Sequence, residues 1–190
     1  MEIHEKNYIH HDLHSDNIFS YQNNHNAIGD LGLCQRLEEK NDPDEIYGVI
    51  PYLAPEVLSG KPYTKESDIY SFGMLMWEHT TGKKPFYNRS YNHHLVIGIR
   101  EGERPQITED TPEFYADLMK RCWDSSPENR PTAKGICDCL HGYVFNVSEE
   151  KKDVINLAET KRQEIINSDK FLSDTENYKY HSESFNIGLY

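Results

Sequence analysis

Eight consecutive residues, His10-His11-Asp12-Leu13-His14-Ser15-Asp16-Asn17, bring together three imidazoles, two carboxylates, a hydroxyl and a carboxamide. Groups of these types can accept a proton, donate one or ligate a metal ion. The cluster alone leaves two bland or competing readings open. Asp12 can cap a turn through its side chain and do nothing more. His10 and His14, four apart, would share one face of a helix and, with His11, Asp12 and Asp16, make a transition-metal site for a hydrolase. Further polar signals follow along the chain. Asp30-Leu31-Gly32 lies thirteen positions after Asn17, and Gly48 to Glu56 reads GVIPYLAPE. Asp68-Ile69-Tyr70-Ser71-Phe72-Gly73 and Arg130-Pro131 come later still. Cys34, Cys122, Cys137 and Cys139 are too few and too irregularly spaced for a disulfide framework or a zinc site.

The elements that must position these groups read as mostly helical. Asn17 to Gly29 predicts a short hairpin, with Ile18-Phe19 and Ala27-Ile28 as strands around the turn chemistry of Gln22 to Asn26. Leu33 to Leu53 has no clear period and predicts a loop of about 20 residues, a length that is functional or disordered. Ser67 to Thr81 predicts a buried central helix, capped by Ser67, because Ile69, Tyr70, Phe72, Met74, Leu75, Met76 and Trp77 leave no polar face. Thr111 to Trp123 predicts an amphipathic outer helix through Phe114, Tyr115, Leu118, Met119, Cys122 and Trp123. Another follows Pro131 with Ala133, Ile136, Cys137 and Leu140 as its stripe. Beyond it the chain turns polar, with one weakly amphipathic helix capped by Ser148, solvated or docked on a partner.

Composition sets the outer bounds. The 190 residues carry a formal net charge of −12, which argues against sequence-independent nucleic-acid binding. No apolar run reaches the roughly 18 residues of a membrane span, and "MEIHEKNYIH" lacks the build of a signal peptide. A cytoplasmic protein with no nucleic-acid and no membrane partner is expected; the oligomeric state is not legible.

Taken together and in order, the motifs resemble the C-terminal lobe of a eukaryotic protein kinase. His10 to Asn17 is similar to the catalytic loop H-R-D-L-x-x-x-N, Asp30 to Gly32 to D-F-G, and Ala54 to Glu56 to A-P-E. "SDIYSFGMLMWE" and "CWDSSPENRP" look most like the tyrosine-kinase-like group, whose members mostly phosphorylate Ser and Thr. The resemblance covers about Met1 to Tyr143. It implies a mainly α fold: a helical bundle around a buried central helix with one short β-hairpin, the N-terminal lobe absent. The lobe would span 1–143 and a polar, partly helical or disordered tail 144–190. It implies ATP-dependent phosphoryl transfer to Ser/Thr of proteins in intracellular signalling, with ATP and Mg²⁺ as cofactors and a protein substrate as partner. Asp12 would take or orient the substrate hydroxyl proton, Asn17 and Asp30 would hold Mg²⁺, and His14 would reach the phosphate. His10, Asp68, Glu56 and Arg130 would be structural. Asp68 would bond the catalytic-loop backbone, and Glu56 would pair with Arg130, a pair whose breakage costs about 3–5 kcal/mol.

Several departures qualify the resemblance. His11 stands where the family has Arg, which removes most of a clamp for a phosphorylated loop. Leu33 to Leu53 holds no Ser or Thr, only Tyr47 and Tyr52, so activation by Ser/Thr phosphorylation there is not expected. His14 replaces the usual Lys and Val49 the usual Thr, which leaves Ser/Thr specificity without its residue markers. Leu31 for Phe is milder. Lastly, Met1 falls just before the catalytic loop, with no glycine-rich loop, strand Lys or partnering Glu ahead of it. Two alternatives follow: a fragment of a longer kinase, or a catalytically inactive binding or scaffold module. Either would leave one face of the central helix apolar and exposed.

Overall fold

A computed structural model describes residues 2–21, 25–37, 46–145, 149–167 and 183–185. Its centre is helix α2 (Lys65–Thr81), reached after a short helix α1 (Glu2–Glu5) and five short strands. These are β1 (Tyr8–Ile9), β2 (Ile18–Tyr21), β3 (His25–Ile28), β4 (Gln35–Arg36) and β5 (Ile46–Gly48). After α2 come α3 (His93–Arg100), α4 (Glu113–Cys122), α5 (Ala133–Phe145), α6 (Glu149–Ile166) and a last strand β6 (Glu183–Phe185). Three antiparallel pairs form, β1 with β4, β2 with β3 and β5 with β6.

Helix α2 begins at Thr64 rather than at the expected Ser67. The Thr64 hydroxyl accepts from the Ser67 amide at 3.2 Å, and the Thr64 amide donates to Ser67 Oγ at 3.0 Å. This reciprocal box satisfies two of the helix's orphan donors, so Ser67 still serves the start, from the third helical position. Gly82 closes the helix in the left-handed region at φ 66°. Between these ends Ile69, Tyr70, Met74, Met76 and Trp77 are buried in one core with Val57, Leu58, Leu95, Ile99, Leu118, Met119 and Cys122. The Trp77 indole donates to the Gln106 carbonyl at 2.8 Å, which satisfies its polar end.

Several expectations are corrected. The exposed apolar face expected on α2 is absent among the described residues. Phe72 and Leu75 are partly buried against the core, and the exposed large apolar side chains lie instead at Phe19, Leu31, Leu37, Tyr47, Ile97 and along α6. The physical reason is that α4 and the 3-10 turn Ile50–Tyr52 pack directly on α2. The 33–53 stretch is not one loop. Leu31–Leu33 is a 3-10 turn, β4 pairs with β1 at Tyr8↔Arg36 and Ile9↔Gln35, and β5 and the turn at 50–52 follow. Residues 38–45 fall outside those described, as do the hairpin turn 22–24 and Ser148. Helix α3 was not expected at all. Asn92 caps it by accepting from the His94 and Leu95 amides, and Leu95, Val96 and Ile99 are buried. The hairpin, α4 and α5 lie where the sequence puts them, with α4 starting two residues later than expected.

Candidate active site

Asp68, in the first turns of α2, organises the catalytic-loop candidate from beneath. It is 1% exposed, and its Oδ2 accepts from the His10 amide at 2.7 Å while Oδ1 accepts from the His11 amide at 3.1 Å. His4 Nε2 adds a third contact to Oδ2 at 2.8 Å. A carboxylate buried this deeply needs such donors to offset its lost hydration. The His10 ring, fully buried, donates from Nε2 to the Gly29 carbonyl at 3.1 Å, and its Nδ1 accepts from the Asp12 amide at 3.4 Å. One tautomer, with the proton on Nε2, satisfies both bonds.

The loop thus held presents Asp12, His14 and Asn17 together, each less than a tenth exposed. Asn17 Nδ2 donates to the Asp12 carbonyl at 2.8 Å and to Asp12 Oδ2 at 3.3 Å. His14 Nε2 lies 3.3 Å from Asp12 Oδ2 and 3.1 Å from Asn17 Nδ2. With a proton on Nε2 the imidazole donates to the carboxylate; without one it accepts from the amide. Asp30 joins this group through the hairpin, because the Gly29 amide donates to the Asn17 carbonyl at 2.9 Å. Asp30 sits in the left-handed region at φ 53°, and its carboxylate accepts from the Gly32 amide at 3.3 Å. His11 is the site's second positive-φ residue, at 72°. Such geometry is uncommon for a residue with a Cβ and concentrates where a site over-determines the backbone.

The donor set fits magnesium. The Asn17 side chain bonds through Nδ2 in every contact described above, which turns Oδ1 into an available hard oxygen, and the exposed Asp30 carboxylate supplies more of the same kind. A transition-metal site does not form: among the described residues no three His, Cys, Asp or Glu side chains group to hold a metal.

Glu56 and Arg130 lie apart from this cluster. They form a two-pronged pair at 2.6 and 2.7 Å with side-chain exposures of 6% and 0%. Arg130 also donates to the Asp124 and Glu66 carbonyls, both at 2.9 Å. The pair therefore ties the segment after β5 to the starts of α2 and α5.

The sequence missed two anchors. His4 carries no motif of its own, and its partner Asp68 is 64 residues away. Lys84 likewise bridges the catalytic loop to α2: it donates to Ser15 Oγ, and it pairs with Asp16 at 3.1 Å and Glu78 at 3.3 Å. Tyr52 donates its hydroxyl to the same Glu78. Burial first, and then the Glu78 charge, push the Tyr52 phenol well above its ordinary range.

Residues 1–140 match the family model for protein tyrosine and serine/threonine kinase. The chain belongs to the protein kinase family. It is 35% identical to human receptor-interacting serine/threonine-protein kinase 1 over 82% of this chain and 26% of that protein. It is 32% identical to the dual specificity protein kinase shkC of Dictyostelium discoideum over 77% of this chain and 30% of that one. The former likeness fits the tyrosine-kinase-like group. The chain spans less than a third of the length of these relatives. Among the described residues of this kinase lobe, no helix is long and apolar enough to cross a membrane.

Proposed function

We propose that the chain is the part of a protein serine/threonine kinase that receives the substrate hydroxyl and transfers a phosphoryl group to it from ATP. The observation that carries this reading is the Asp12–His14–Asn17 group, tied through Gly29 to Asp30 and seated on Asp68. The substrate hydroxyl oxygen forms a bond to the γ-phosphorus, the bridging bond to ADP breaks, and the hydroxyl proton passes to the Asp12 carboxylate. Asn17, by bonding both the backbone and the carboxylate of Asp12, fixes the direction in which that carboxylate points. Asn17 and Asp30 would hold Mg²⁺, which when bound neutralises charge on the phosphates. His14 stands beside Asp12 where it can contact the transferred group, and His10 and Asp68 keep the loop rigid. The compartment that supplies ATP and Mg²⁺ to such a reaction is the cytoplasm. A binding-only role fits less well, because it leaves an intact set of Asp12, Asn17 and Asp30 without a task.

Serine/threonine acceptance rests on the serine/threonine kinases among the relatives, against the missing markers at His14 and Val49 and the dual specificity of one relative. The test is transfer of labelled phosphate from ATP to casein by the full-length protein, followed by phosphoamino acid analysis. Phosphoserine and phosphothreonine are expected, with transfer abolished by chelation of Mg²⁺. Predominant phosphotyrosine would overturn the specificity, and chelator-insensitive transfer the role of Asn17 and Asp30.

A further inference from the structure

Asn17 reaches the catalytic group from a weak element. The turn that carries it, Ser15–Asn17, is a 3-10 helix of three residues with no side-chain capping bond among the described residues. Its own bonds run from the Asn17 amide to the His14 carbonyl at 3.0 Å and from the Ile18 amide to the Ser15 carbonyl. Pieces this short have poor hydrogen-bond geometry and fray unless something outside holds them.

A circuit built on Lys84 and α2 does so. The Lys84 ammonium donates to Ser15 Oγ and meets Asp16 Oδ1 at 3.1 Å and Glu78 Oε1 at 3.3 Å. Tyr52 donates to the other Glu78 oxygen, and Ser15 hydrogen-bonds Tyr52. The three donors of one ammonium thus have three acceptors, and both Glu78 oxygens are engaged. The arms differ in strength. Asp16 is 52% exposed, so its pair with Lys84 is weak alone, whereas Glu78 at 16% and Lys84 at 21% are largely withdrawn from water. Glu78 stands on the long central helix. Lys84 is itself fixed, two residues past the left-handed Gly82 and with its carbonyl accepting from the Tyr87 amide at 3.0 Å. The circuit therefore runs from the rigid floor to the turn that ends in Asn17.

We propose that Lys84 is a positioning residue for phosphoryl transfer: it clamps the Ser15–Asn17 turn to Glu78 and so sets where the Asn17 side chain stands relative to Asp12. The catalytic part of this assignment rests on the phosphoryl-transfer reading; the clamp does not. Lys84 acts through the turn. Asn17 bonds the Asp12 carbonyl at 2.8 Å and its carboxylate at 3.3 Å, so a turn released from Lys84 loosens both the proton acceptor and the oxygen offered to Mg²⁺. A displacement of about 1 Å at such a site can cost about a hundredfold in rate.

The test compares the full-length protein with Lys84→Met, which keeps the apolar stem and removes the charge, and with Lys84→Arg, which restores it. Lys134→Met, at a surface lysine paired with Asp138, controls for the loss of one positive charge. Amide hydrogen exchange without nucleotide or metal is read first. At Asn17 and Ile18 it should be at least about tenfold faster in Lys84→Met than in the parent, with the amides of α2 unchanged. In phosphate transfer to casein, kcat should fall at least about tenfold and the free Mg²⁺ giving half-maximal rate should rise several-fold. KM for casein should stay within about twofold, and Lys84→Arg should recover exchange, kcat and Mg²⁺ requirement. Should Lys84→Met also speed exchange throughout α2, Ser15→Ala, which removes one arm only, is read in its place with the same directions of change. Unchanged exchange at Asn17 and Ile18 would overturn the clamp. Faster exchange with a parent-like kcat and Mg²⁺ requirement would overturn the positioning role, and so would an equal fall in kcat in Lys134→Met. A parent that transfers no phosphate would overturn the phosphoryl-transfer reading, while the exchange comparison still decides the clamp.

Discussion

At His11 the backbone turns through φ 72° and the ring stacks on Tyr63, with centroids 4.4 Å apart and planes 12° apart. The imidazole so placed faces a tyrosine ring, and its Nε2 is buried without a hydrogen-bond partner among the described residues. Burial, the largest influence, lowers its pKa from 6.5; Asp68 opposes the shift and His10 adds to it. The neutral ring is thus the form the fold prefers. Below about pH 6.5 the unfolded chain binds more protons at this residue than the folded one, so stability falls as pH falls. Replacing His11 by Asn, which tolerates the left-handed region, should shrink the loss of Tm between about pH 7.5 and 5.5 relative to the parent; thermal denaturation at the two pH values checks this. An unchanged or larger loss would contradict it. The same geometry bears on regulation. Tyr52 is 3% exposed and bonded to Glu78, so of the two tyrosines between residues 33 and 53 only Tyr47 is exposed to modification. The loop from His10 to Asn17 was legible because its chemistry is contiguous in sequence. His4 and Lys84 were not, because their meaning lies in partners more than sixty residues away.

At the scale of elements, the contact that sets the packing of the lobe is the crossing of α2 on α4. Gly73 makes it possible, since a Cβ there would lie 2.9 Å from Cys122 Cβ and 3.3 Å from the Trp123 amide nitrogen. These neighbours are a Cβ fixed to the main chain and the backbone itself, which cannot swing aside. Gly73→Ala would gain about 1 kcal/mol of helix propensity yet force the two helices apart, and overpacking of this kind typically costs about 1–3 kcal/mol. Net destabilisation of up to about 2 kcal/mol is expected in urea unfolding, and a stabilised variant would refute the close crossing. Burial at that crossing also raises the Cys122 thiol to about 12, which makes it a packing residue. The α2 sequence announced this role through its unbroken apolar run. Helix α3 escaped detection because its apolar face, Leu95, Val96 and Ile99, is little more than one turn long and Ile97 beside it blurs the pattern. Two- and three-residue strands such as β1, β4 and β5 are too short for alternation to register at all.

Seen whole, the molecule places its net charge of −12 and its tail in a different light from composition alone. The stretch after α5 reads as polar and solvated, and α6 does leave Val154, Leu157 and Ile165 exposed. Yet β6 returns to pair with β5. Three residues within a polar stretch carry no sequence signal for a partner so far back along the chain. The Glu56–Arg130 pair, by contrast, was legible from family resemblance, and its geometry explains how the segment after β5 is held independently of the tail. The lobe therefore has a rigid floor, made by α2 and the Asp68 contacts, and a short strand that the tail pairs with.

The substitution Asp12→Asn, compared with the parent in the full-length protein, addresses the proposed chemistry most directly. Asn keeps the size of the side chain and can keep a contact to Asn17, so the fold should persist, but it cannot take up the substrate proton. Removing a general base typically costs about 10²–10⁴-fold. Labelled-phosphate transfer from ATP to a protein substrate should therefore fall at least about a hundredfold, with Tm little changed. Transfer within a few-fold of the parent would contradict the assignment of Asp12, and with it the mechanism built on the His10–Asn17 loop.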